Sequence, residues 1–93
     1  MDIKEFQKLM ADLYGAADKE RGLPSTVAWL VEEVGELSQA IRKGSKSEQE
    51  HEIGDVLAWL ASLANQLEIS LDSTAERFTS GCPKCHENPC SCG

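Results

Sequence analysis

Residues 29–60, WLVEEVGELSQAIRKGSKSEQEHEIGDVLAWL, constrain this chain more than any other stretch. Apolar side chains recur at helical spacing on both sides of a short break, GSKS, so two amphipathic helices are expected to fold back on one another around a tight turn. Glu33, Glu36, Glu52 and Asp55 nevertheless stand beside the leucines and tryptophans of those helices rather than on the far, solvent side. At about 100° per residue, with Glu33 at zero, Leu30, Val34, Leu37 and Ile41 centre at about 70° and Glu36 falls at about −60°. In the second helix Ile53, Val56, Leu57, Leu60, Leu63 and Leu67 make the apolar face, and Glu48, Glu52 and Asp55 line one border of it. Trp29 and Trp59 each lie one turn from an acid on these borders.

Both acidic pairs have i, i+3 spacing, which sets their side chains next to each other on one helix surface. Glu33/Glu36 lie about 14 Å before Gly44 and Glu52/Asp55 about 10 Å after Ser47, at 1.5 Å rise per residue, so an antiparallel hairpin brings the pairs to nearly one height. Two carboxylates about 6 Å apart repel by roughly 3 kcal/mol at an effective dielectric of 20. Several such terms weigh heavily on a domain stable by about 5–15 kcal/mol, so protons or cations must relieve the cluster. Oxygen-only ligation suits magnesium or manganese better than zinc. The competing reading is a solvated acidic face partnered by Arg42, Lys43 and Lys46.

At 93 residues the chain is one domain, with a core small enough that a metal or a partner chain is expected to complete it. The net charge of −7 argues against a duplex nucleic acid partner, although bound divalent cations would reverse the local sign for a phosphorylated substrate. No apolar run reaches the roughly 18 residues of a membrane span, and the opening MDIKEFQKLM has no basic region followed by an apolar one. These features lead to the expectation of a cytoplasmic protein without membrane partners.

The fold class expected is all-α, since strand alternation is absent. A first helix is predicted over about 2–17, on the spacing of Ile3, Phe6, Leu9, Met10 and Leu13, with YGAADKERGLPS as a break. A second helix is predicted from Ser25 or Thr26 to Gly44, with Arg42 and Lys43 suiting the dipole of its last turn. Ser47 and Glu50 have capping-box spacing and are predicted to open a third helix that runs to about Gln66. A short fourth helix is predicted over 73–79. The hairpin and its flanking helices are expected to form a four-helix-bundle-like core completed by oligomerisation, as a homodimer or homotetramer, because a lone hairpin would expose too large an apolar seam.

EEVGE (Glu32 to Glu36) followed by EIGD (Glu52 to Asp55) resembles the EExxE…ExxD hallmark of the MazG-like all-α nucleoside triphosphate pyrophosphohydrolases, which are related to dimeric dUTPases. WLVEEVGEL…DVLAWL is similar to the small single-domain members, and the likeness spans roughly residues 1–78. The resemblance implies metal-dependent cleavage between the α- and β-phosphates of a nucleotide, with a metal-activated water as nucleophile, giving a monophosphate and pyrophosphate. It implies that Glu33, Glu36, Glu52 and Asp55 bind magnesium. Glu32 matches the first glutamate of the motif, but its angle of about −100° turns it away from the others, leaving an outer-shell role beside plain exposure. Trp29 and Trp59 are candidates for stacking on a nucleobase, against the more ordinary reading of border tryptophans as core. Asn65 matches a position where small members carry a substrate-proximal asparagine. Lys43 is a candidate phosphate contact; Lys19, Arg21, Arg42 and Lys46 are surface charges by default.

All four cysteines fall in CPKCHENPCSCG, with C-x2-C-x4-C-x-C spacing at Cys82, Cys85, Cys90 and Cys92. Four thiolates this close can close a tetrahedral zinc site, with His86 as a spare ligand or a bystander. A structural zinc is the expectation, and a disordered or redox-active thiol-rich tail the alternative. The division expected is a pyrophosphohydrolase domain over residues 1–79 and a Cys-rich tail over 80–93. Two other functions fit some of the residues. A di-iron carboxylate bundle is suggested by the ExxH of Glu48 and His51, but needs a second ExxH that this chain lacks. A non-catalytic, zinc-tailed helical adaptor would leave the acids merely solvated.

Overall fold

The computed structural model describes all 93 residues, and they form four α-helices and no strands. Helix α1 spans Ile3–Arg21, α2 Leu23–Lys43, α3 Lys46–Gln66 and α4 Leu71–Ala75, the last running into a 3-10 turn, Glu76–Phe78. No helix is long and apolar enough to cross a membrane.

The predicted break after Ala17 is corrected: α1 continues to Arg21. An interior Gly15 costs only about 1 kcal/mol against alanine, and the good helix formers around it carry the turn through. The break falls at Gly22, whose φ of 86° and ψ of 161° suit a residue without Cβ; its N–H caps α1 by donating to the Asp18 carbonyl. Helix α2 accordingly starts two residues earlier than Ser25, with Pro24 in the first turn where a missing N–H costs nothing. The capping box is also corrected. Ser45, not Ser47, is the N-cap of α3: its hydroxyl accepts from the Glu48 N–H at 3.2 Å, and the Glu48 carboxylate accepts from the Ser45 N–H at 3.1 Å. The fourth helix is likewise shifted, capped by Ser70 and ending at Ala75.

Helix α3 lies between α1 and α2 and packs against both. Pairs along the α2–α3 hairpin establish its antiparallel register. Near the turn Gln49 Nε2 donates to the Ala40 carbonyl at 3.2 Å, and at the far end Gln66 Nε2 donates to Thr26 Oγ1 at 2.7 Å. Gln7 joins α1 to that far end of α3 and to α4. Its Nε2 donates to Asn65 Oδ1 at 3.0 Å and to the Ile69 carbonyl at 2.8 Å, and its Oε1 accepts from the Leu71 N–H at 2.9 Å.

Apart from Met10, the core between these helices is made of small residues. Seven of the 93 residues are buried, and the apolar ones among them are Met10, Ala40, Ala61 and Ala64. The leucine-rich faces are turned largely outward, with Val34, Ile41, Ile53, Leu57, Leu60 and Leu67 all exposed. The shape is correspondingly open. The radius of gyration is 15.4 Å, where about 12 Å is usual for this length. The accessible surface is 6768 Å², where a folded monomer of this mass has about 5300 Å².

Candidate functional site

The hairpin register brings the acids of α2 and α3 together. One carboxylate oxygen from each of Glu33, Glu36 and Glu52 lies within 4.8 Å of the other two, and Asp55 joins Glu52 and His51 in a second group of the same span. Within each helix the paired acids are one turn apart, and the length of the turn sets the two pairs opposite each other. Glu33 Oε2 and Glu52 Oε2 are buried and have no hydrogen-bond partner. Burial and the neighbouring Glu36, Asp55 and Glu52 charges push the Glu33 carboxyl up to about 7. Desolvation, then the charges of Glu36 and Asp55, raises Glu52 as well, with His51 opposing. His51 Nε2 stands 3.3 Å from Asp55 Oδ2 and is the cluster's one nearby imidazole. Oxygen-only donors, two of them orphaned in a low-dielectric seam, fit a hard divalent cation.

The remaining sequence-predicted residues divide. Lys43 lines an open groove with Glu36, Gln39, Glu48, His51 and Glu52, so it stands beside the cluster. Glu32 is exposed and lies outside it. Trp29 and Trp59 stack on each other, with ring centroids 6.1 Å apart and planes 14° from parallel. Asn65 lies about 15 Å along α3 from Asp55 at 1.5 Å per residue, and its amide is engaged with Gln7, donating to that residue's carbonyl at 3.1 Å. Glu48, half of the ExxH that suggests a di-iron bundle, has its carboxylate committed to the cap of α3.

A second opening on the cluster is not legible in the sequence. A pocket of about 240 Å³ is lined by Tyr14, Asp18, Arg21, Asp55, Trp59 and Ser62. Arg21 lies over the Trp59 ring, 4.8 Å from its centroid, and pairs with Asp18. Asp18 is 2% exposed, and its Oδ2 has no hydrogen-bond partner. An end of α1 at Ala17 would put both residues in a loop; only with α1 running to Arg21 do they face α3.

In the tail the four cysteine sulfurs converge within 4.8 Å of one another. Backbone N–H groups at Ser91 and Glu87 lower Cys85 to about 6, while proton sharing with Cys90 and Cys82 pushes Cys92 up to about 11.

An all-α hairpin whose facing helices bring Glu33, Glu36, Glu52 and Asp55 to one seam defines a class of acidic helical proteins with donor sets suited to cations. Within that class the chain belongs to the MazG nucleotide pyrophosphohydrolase domain family, whose model matches residues 21–88. No curated protein gives a match.

Proposed function

We propose that this protein hydrolyses a nucleoside triphosphate between its α- and β-phosphates, releasing a monophosphate and pyrophosphate. The observation that carries the reading is the convergence of Glu33, Glu36 and Glu52, with Asp55 beside them and two buried carboxylate oxygens unpartnered. Glu33, Glu36, Glu52 and Asp55 would hold magnesium or manganese. When bound, the cation supplies charge neutralisation for phosphate oxygens and acidifies water near them.

The chain's own residues give the site a direction. Lys43 places a positive charge in the groove on one side of the cluster, which suits the departing pyrophosphate. On the other side lies the Trp59 pocket, where Arg21 sits over the ring and the buried Asp18 oxygen is an acceptor suited to a base N–H. His51 stands 3.3 Å from Asp55 and, when protonated, would pair with that carboxylate. A second copy of the chain, packed on the exposed leucine faces, closes the seam from solvent. Asn65 and Trp29 would then meet substrate only as parts of that assembly.

The test is a panel of nucleoside triphosphates incubated with magnesium, with pyrophosphate and monophosphate measured as products. Turnover of at least one nucleotide is expected, with Glu33→Gln and Asp55→Asn each abolishing it. Full activity in both variants would reject the site.

A further inference from the structure

We propose that residues 81–93 form a self-contained zinc centre, with Cys82, Cys85, Cys90 and Cys92 as its four ligands. The geometry carries the assignment. A tetrahedral Zn–S₄ centre with bonds of about 2.3 Å has sulfur–sulfur edges of about 3.8 Å. The structure sets Cys82 and Cys92 Sγ 3.7 Å apart, Cys85 and Cys90 Sγ 3.9 Å apart, and all four sulfurs within 4.8 Å. Disulfides, at about 2.05 Å, are formed by neither pair.

The loop is shaped around the sulfurs rather than around a core. Residues 80–93, SGCPKCHENPCSCG, contain no apolar side chain larger than proline, so no hydrophobic core of their own can hold the turn. Backbone N–H groups point at the ligands instead. Ser91 N–H donates to Cys85 Sγ at 3.4 Å and Cys92 N–H to Cys90 Sγ at 3.3 Å, the kind of outer-shell bond that steadies thiolate charge on a metal. The chain doubles back through His86 N–H to the Cys82 carbonyl at 2.7 Å and Cys82 N–H to the Glu87 carbonyl at 2.9 Å. Gly81, at a φ of 109°, allows this because an added Cβ would meet the Glu87 carbonyl oxygen at 2.9 Å. His86 is exposed and outside the sulfur group.

Four thiolates leave zinc no open position, so the centre is structural, not catalytic. It is also separate from the helices: hydrogen bonds made by residues 81–93 reach back no further than Phe78. Metal binding should therefore fold the tail without being needed by α1–α3.

The experiment uses the full chain, purified under reducing conditions and analysed for metals. About one zinc per chain is expected. Replacing it with cobalt should give the intense visible bands of a tetrahedral thiolate site, and both the zinc and the bands should be lost in Cys85→Ser. His86→Asn, which keeps a residue tolerant of positive φ, should retain full zinc. Chelation should release the metal while far-UV dichroism keeps the helical signal. Iron in place of zinc, one zinc per two chains, two disulfides in the reduced preparation, or zinc retained by Cys85→Ser would each overturn the assignment.

Discussion

The Glu33 carboxyl is raised from 4.5 to about 7 by burial and by the acids around it. A group with a raised folded pKa binds its proton more tightly in the native state than in the unfolded chain. The metal-free protein therefore gains stability from Glu33 below about pH 4.5 and loses it as pH rises through about 7. Glu52 shifts in the same direction and adds to the slope. Thermal melts of metal-free protein should fall in Tm across that window, and magnesium should restore the loss at pH 8. Glu33→Gln should melt higher than the parent at pH 8 without metal, and it should gain nothing from magnesium. A metal-free variant less stable than its parent would mean that the charge was not crowded. Across the cluster, Arg21→Ala removes the cation over Trp59 and frees the buried Asp18 charge. Its expected signature is a KM raised several-fold with a smaller change in kcat, because in the proposed reading the pocket would hold the end of the substrate remote from the reacting phosphorus. The carboxylates are legible in the sequence because i, i+3 spacing on an apolar border is a pattern within one helix. Asp18 is not, because its burial depends on which residues of α3 lie opposite it.

At the scale of the elements, helix type and number are readable from the 3.6-residue period of the apolar positions, and helix ends are not. The ends depend on local competition that periodicity does not weigh. Gly15 has the look of a stop but is carried within α1, whereas Gly22, with the left-handed φ, is the stop. Ser45 and Ser47 each precede a glutamate by three residues, so the sequence contains two capping boxes in competition. Ser45 prevails in the structure because starting there lets Lys46 and Ser47 join the helix while Gly44 keeps extended backbone. Gly44 itself has little room: a Cβ there would come within 2.8 Å of the Ala40 carbonyl oxygen. Ser45→Ala should therefore cost about 1 kcal/mol, the usual value of an N-cap side chain. Ser47→Ala should change stability by no more than about 0.5 kcal/mol, as for an ordinary exposed position. Denaturant titration of the two variants decides between the boxes, and a larger loss at Ser47 would favour the box that opens there. Losing the Ser45 cap should also release the Glu48 carboxylate into the groove beside Lys43.

For the whole molecule, the question is what covers the outward leucine faces. The 6768 Å² of accessible surface exceeds the expectation for a folded monomer by about 1500 Å², more than the roughly 800 Å² that one partner contributes to a standard interface. Much of the exposed apolar side chain lies on the hairpin itself, with Ile41 62% and Ile53 56% exposed. The two helices thus use two faces differently. Alanines and the acidic seam meet within the chain, and Val34, Ile41, Ile53, Leu57 and Leu60 are left exposed, free for the second copy proposed above. A seam of this kind is visible in the sequence. That Ala40, Ala61 and Ala64 rather than leucines are the buried residues is not, since burial depends on which helix faces meet in the fold. If the outer faces pair, Ile53→Glu places an unpaired charge in the interface, where desolvation costs several kcal/mol. Light scattering should find the parent as a dimer or tetramer, and the variant as a monomer at the same concentration. The parent's Tm should rise with protein concentration, whereas the variant's should be lower and independent of it. Lys4→Glu, an exposed change of sign on α1, serves as the control and should leave the assembly intact. A parent that scatters as a monomer, with a Tm indifferent to concentration, would mean that the hairpin tolerates its leucines in water and that the acidic seam closes without a partner.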